Sequence, residues 1–147
     1  MPQKKWLVLA LSTVILFAGF AAGSIFKAGA AVNAQAGTRV FEIRTYTAPE
    51  GKLDALHARV RDHTLRIFAK HGMTSIGYFK PQDAPLSQNT LIYVLAHPSR
   101  EAAKKNWADF QADPEWQKVS TESQVNGRIV TKVESVFADP ADYSPIK

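Results

Sequence analysis

Phe41-Glu42-Ile43-Arg44-Thr45-Tyr46 reads as the first strand of the folded domain, and its alternation sets out how the rest of the chain is arranged. Successive side chains of a strand point to opposite faces, so Phe41, Ile43 and Thr45 share one face while Val40, Glu42, Arg44 and Tyr46 share the other. The first set is the more apolar and is expected in the core beneath the helices. The second is mixed and is expected on a face that the chain leaves uncovered.

Outward from this strand, Thr47 to Gly51 turns the chain, and a helix is expected from Lys52 to Lys70. On a helical wheel Leu53, Leu56, Val60, Thr64, Ile67 and Phe68 form one stripe, with Arg59, Asp62, Arg66 and Lys70 mostly opposite. His71-Gly72 ends the helix, glycine suiting the left-handed position after it and histidine the negative end of the dipole. A second strand follows over Met73 to Lys80 and a third over Thr90 to Ala96. In the third, Leu91, Tyr93 and Leu95 point one way and Ile92 and Val94 the other, so both faces are apolar and the strand is central with cover on each side. Ser99 is an N-cap for a helix over Arg100 to Ala112 that carries Ala103, Trp107 and Phe110 on one stripe. Asp113-Pro114-Glu115-Trp116 starts another helix, which Gly127 closes, and Arg128 to Phe137 is the last strand.

The order is β-α-β-β-α-β with an extra short helix before the last strand, an α+β, ferredoxin-like arrangement. Two helices cover one face of such a sheet. The third strand implies that the other face is buried as well, and a second copy packed sheet to sheet would do this, so a homodimer that closes an α/β barrel is expected.

Before this domain (residues 38–147), residues 1–36 have the pattern of a signal peptide or signal anchor. Lys4 and Lys5 form a basic head, the 21 residues from Trp6 to Phe26 carry no charge, and small-x-small sites follow at Ala30, Ala34 and Ala36. Cleavage, giving an exported periplasmic or secreted domain, is the favoured reading; the alternative is an uncleaved helix that anchors the domain outside the membrane. Removing Lys4, Lys5 and Lys27 from the 18 basic residues leaves 15 against 13 acidic ones, interspersed, so no nucleic-acid surface is expected. The absence of cysteine excludes disulfides, thiolate metal sites and a cysteine nucleophile.

Four motifs in order complete the reading: Glu42-Ile43-Arg44-Thr45-Tyr46 with Pro49 and Gly51-Lys52; Lys70-His71-Gly72 leading to Ile76-Gly77-Tyr78-Phe79; Asn106-Trp107, Phe110 and Asp113-Pro114-Glu115-Trp116; and Asp142-Tyr143-Ser144-Pro145. Together, from Val40 to the C-terminus, they resemble the NIPSNAP domain. The resemblance implies a ferredoxin-like domain of the dimeric α/β-barrel group, which also holds small monooxygenases and haem-handling proteins. Animal members are mitochondrial proteins linked to vesicle traffic and mitophagy, a setting that an export leader does not share. Bacterial members generally lack an assigned reaction.

The candidate pocket residues are Arg44, Tyr46, His57, His63, Tyr78 and Trp107. Arg44 can grip an anionic or carbonyl group, Tyr46 and Tyr78 are donors, and Trp107 offers an aromatic wall. The plainer reading is a charge ladder, Glu42 with Lys132 and Arg44 with Glu134, that fixes strand register. His57 and His63 are six apart, which does not set two imidazoles on one helix face, and no metal site or cofactor is predicted. His71 is explained by its helix end and His97 by a turn before Pro98. No glycine-rich phosphate loop or nucleophile elbow is present. The leading expectation is an exported homodimer of NIPSNAP type acting as a binding or interaction module, with a small apolar or aromatic ligand in a pocket between sheet and helices. The alternatives are a cofactor-free monooxygenase or haem-degrading type of enzyme and a membrane-tethered assembly factor.

Overall fold

A computed structural model describes residues 39–147; the leader over residues 1–36 lies outside the described residues. The elements are β1 (Val40–Thr47), α1 (Leu53–Arg59), a π-helical turn (Val60–Thr64) running into α2 (Leu65–Lys70), β2 (Thr74–Phe79), β3 (Thr90–His97), α3 (Arg100–Ala112), α4 (Pro114–Glu122) and β4 (Lys132–Ala138). The four strands form one antiparallel sheet in the order β2-β3-β1-β4. This is the ferredoxin-like arrangement, with α4 as the extra helix.

The helix boundaries follow local chemistry. Gly72 adopts φ +71° after α2, and Gly127 φ +101° beyond α4, both in the left-handed region that glycine enters without a side-chain clash. Ser99 Oγ accepts the Ala102 N–H at 3.1 Å and Asp113 Oδ1 accepts the Glu115 N–H at 2.8 Å, so each cap fills an orphan donor of the first turn. Asp113 also receives Lys70 Nζ at 2.7 Å and His71 Nε2 at 2.6 Å on its other oxygen, pinning the end of α2 to the start of α4.

Three expectations need correction. The two faces of β1 are reversed: Glu42, Arg44 and Tyr46 lie beneath the helices beside Leu95, Tyr93 and Leu91, and Phe41, Ile43 and Thr45 lie on the open face beside Ala96, Val94 and Ile92. A rule of apolar residues inward fails because β3 supplies the core with Leu91, Tyr93 and Leu95, all at or near full burial, while the polar atoms of β1 find partners there. The charge ladder does not form, since register places Glu42 opposite Phe137 and Arg44 opposite Ser135. Lys132 and Glu134 instead bridge one another at 2.8 Å on the exposed side. The last strand begins at Lys132 rather than Arg128, although Ile129 before it is buried and Thr131 N–H bonds the Thr47 carbonyl at 2.8 Å.

The core lies between the sheet and the helices, with Leu56, Val60, Ile67, Phe68, Tyr93 and Phe110 among its members. The opposite face of the sheet stays apolar and open. Phe79 is 53% and Val136 60% exposed there, and the C-terminal tail from Asp139 to Ile146 borders an apolar groove with Phe41, Ile43, Ile76 and Val94. Gly77 leaves room for the Phe79 ring, whose Cζ would lie 2.7 Å from a Cβ at that position. Among the described residues no helix is long and apolar enough to cross a membrane.

Candidate functional site

The polar atoms of β1 meet beneath α3. Glu42, 1% exposed, receives Arg44 Nη1 at 2.5 Å and Ser135 Oγ at 2.6 Å on one oxygen. The other oxygen receives Trp107 Nε1 at 2.7 Å and His97 Nε2 at 3.1 Å. One carboxylate thereby joins β1, β3, β4 and α3. Burial by itself would raise the Glu42 pKa, but the hydrogen bonds from His97, Ser135, Trp107 and Arg44 hold it at about 2. An ionised carboxylate only accepts, so the His97 proton that faces it sits on Nε2, and His97 Nδ1 is buried without a partner among the described residues.

Arg44 completes the arrangement. Its guanidinium carbon lies 4.2 Å from the Trp107 ring centroid and 5.5 Å from that of Tyr46, and Nη2 donates to the Tyr46 hydroxyl at 3.4 Å. Burial alone would lower its pKa; the neighbouring Tyr46 and Tyr93 and the Glu42 carboxylate raise it above the usual arginine value. The cation is thus fixed between an indole and a carboxylate rather than left to sample solvent.

Glu42, Arg44 and Ser135 form the floor of a cleft of about 610 Å³ between α3 and β4. Trp107 and Phe137 supply aromatic walls, with Arg100, Glu101 and Lys104 from the first turns of α3 at the edge. Arg100 stacks over Phe137 at 3.8 Å. Chemically the cleft offers flat apolar surface, fixed positive charge and a hydroxyl, a combination suited to orienting a small ligand.

Of the residues singled out from sequence, the structure brings Arg44, Tyr46 and Trp107 together. Tyr78 lies on the same side of the sheet, stacked on Tyr93 at 5.3 Å, with its hydroxyl 2.9 Å from Ser75 Oγ and its pKa raised by burial. His57 and His63 are not at this cleft. Burial, with Lys80 nearby, lowers the His57 pKa, and His63 borders a groove between the long helix and α4. Among the described residues no cluster of three or more His, Asp or Glu side chains could hold a metal ion.

Sequence reasoning missed His97, Ser135, Phe137 and Arg59. For His97 the signal was present: it continues the inward set Leu91, Tyr93, Leu95 by one more step of two. Ser135 and Phe137 needed the register of β4 against β1. Arg59 is 7% exposed where a regular helical wheel sets it on the polar side. The π-helical turn that follows, closed by the Leu65 N–H to the Val60 carbonyl, is wider than an α turn and draws the buried stripe toward Arg59.

A family model described as NIPSNAP matches residues 41–145. A crystal structure of a NIPSNAP family protein with unknown function from Agrobacterium tumefaciens is similar at 25% identity and a TM-score of 0.66, covering 76% of this chain and 96% of that one. An uncharacterized NIPSNAP-like domain protein from Burkholderia xenovorans matches at 19% identity with a TM-score of 0.65, over 74% of this chain and 90% of its own. A putative antibiotic biosynthesis monooxygenase from Nitrosomonas europaea shares the fold at 13% identity and a TM-score of 0.52, over 76% and 96% of the two chains. No curated protein matches the chain.

Proposed function

The chain belongs to the NIPSNAP family, and from that membership and the cleft we propose an exported, homodimeric binding module that takes a small ligand between α3 and β4. The observation that carries this reading is the state of Glu42. A general base works best with a pKa near the operating pH, whereas this carboxylate is held at about 2 by four donors. It is suited to fixing Arg44 and Trp107 in place, not to moving a proton. What the cleft then presents is aromatic surface beside Arg44, Arg100 and Lys104, which fits a small aromatic or apolar molecule bearing a negative group.

Two further parts of the proposal have separate support. Export rests on the basic head and uncharged run of the leader. Dimerisation rests on the open sheet face, where exposed Ile43, Phe79 and Val136 would cover their equivalents in a second copy. The monooxygenase-like or haem-degrading alternative, with His57 or His63 acting together with Arg44 and Trp107, is disfavoured because neither histidine borders the cleft. The membrane-tethered alternative requires the leader to be retained.

Native mass spectrometry of protein purified from its own host tests these parts together. The expected result is a dimer lacking the leader with a small molecule retained, and loss of that molecule in Lys104→Glu. A monomer, a chain that still begins at Met1, or ligand retention untouched by Lys104→Glu would overturn the corresponding part.

A further inference from the structure

A second, less open cavity lies between the helices and the sheet. It is bordered by Arg59 from α1, Tyr46 and Tyr93 from the sheet, and Phe110, Gln111 and Trp116 on the outer side. Its volume is about 30 Å³, room for a water-sized polar group. Two buried donors border it. Arg59 Nε and the Tyr93 hydroxyl have no hydrogen-bond partner among the described residues, and the two side chains belong to residues only 7% and 1% exposed.

Among the described residues, no carboxylate pairs with Arg59 either. Arg44, Arg61 and Arg66 each pair with a carboxylate, on Glu42, Asp62 and Glu115. Arg59 rests with its guanidinium carbon 5.2 Å from the Trp116 ring centroid, and Asp62 and Glu122 in the groove alongside it pair with Arg61 and Lys118 instead. Burial lowers its pKa, with Tyr46 and Tyr93 acting the other way and no carboxylate contributing. An arginine nevertheless stays charged, and a buried charge without a counter-ion is strongly unfavourable. A water could satisfy the two donors; an anion would offset the charge as well.

We propose that the cavity under Trp116, where Arg59 and Tyr93 present unpartnered buried donors, is a binding site for a small monovalent anion of the carboxylate type. The neutral Tyr93 hydroxyl donates to one oxygen and the guanidinium to the other, among the rings of Tyr46, Phe110 and Trp116. This cavity shares no lining residue with the cleft between α3 and β4, so the two sites are distinct.

Formate titrations followed by thermal unfolding of the full chain test the proposal, at constant ionic strength in a gluconate background whose bulky anion the cavity excludes. The wild type is expected to gain stability saturably. Tyr93→Phe keeps the ring and is expected to raise the half-saturating formate concentration roughly tenfold, the loss of one hydrogen bond to a charged group. Arg59→Met is expected to abolish the formate response and to melt higher than the wild type without formate, since it removes an unpaired buried charge. Should Arg59→Met not fold, Tyr93→Phe decides. No response in the wild type, or the same response in both variants, overturns the site. A response lost in Lys104→Ala but kept in Arg59→Met places the anion in the outer cleft, which overturns this inference and leaves the cleft reading intact.

Discussion

Arg44 and Trp107 face each other at 4.2 Å, and both donate to the same carboxylate, Glu42, through Nη1 and Nε1 at 2.5 and 2.7 Å. The stacked pair and the shared acceptor make a closed triangle, so moving any corner disturbs the other two. Such a network stabilises strongly when complete and is costly when one partner is removed.

Trp107→Phe keeps a ring for Arg44 but removes the indole donor. We expect a loss of about 1.5–3 kcal/mol, the usual range for a hydrogen bond to a charged group. Urea denaturation of the variant against wild type measures it, and a loss within experimental scatter would mean that the indole bond contributes little.

Glu42→Gln leaves Arg44 without its counter-charge in a buried place, and a loss of about 3–5 kcal/mol is expected. The acid profile should change in step. Because folding lowers the Glu42 pKa from 4.5 to about 2, its contribution is full above pH 4.5 and is lost as pH falls toward 2. Asp113, whose pKa is also lowered, by bonds from Lys70 and His71, acts in the same direction and remains in the variant. Stability measured between pH 6 and 2 should therefore fall less steeply in Glu42→Gln than in the wild type; parallel curves would refute the assignment.

Gly72→Ala places a side chain at φ +71°, where the new Cβ would also sit 3.4 Å from Asn106 Nδ2. Asn106 donates to the Gly72 carbonyl at 3.3 Å, so the turn has little room to relax. A loss of about 1–2 kcal/mol is expected. Thermal unfolding provides the check, and an unchanged midpoint would show that the turn can rearrange.

Val136→Asp puts a charge in the open apolar face without touching the cleft. In sedimentation equilibrium the wild type is expected to run as a dimer and the variant as a monomer with unchanged circular dichroism. A wild-type monomer would remove the dimer proposal, and a dimeric variant would move the interface elsewhere.

The element order was legible because each boundary carries its own local chemistry. Ser99 and Asp113 cap helices, Gly72 and Gly127 take left-handed conformations, and the alternation in Thr90 to Ala96 needs no distant partner to be read. The long helix was legible as an amphipathic stripe but its π turn was not, and the burial of Arg59 went unseen with it. At the site, Arg44, Tyr46 and Trp107 were legible as types of residue. Their grouping around Glu42 was not, because His97 and Ser135 reach that carboxylate from 55 and 93 positions away.

By itself the sequence determined the secondary-structure order, the ferredoxin-like class and the family, all of which depend on periodicity, caps and motif order along the chain. Tertiary structure alone decided which face of β1 is inside. Polarity pointed Phe41 and Ile43 inward, yet burial of Glu42 and Arg44 is favourable once partners from β3, β4 and α3 satisfy them. A hydrogen bond of that kind depends on where distant strands are set in register, and no local pattern in β1 records it.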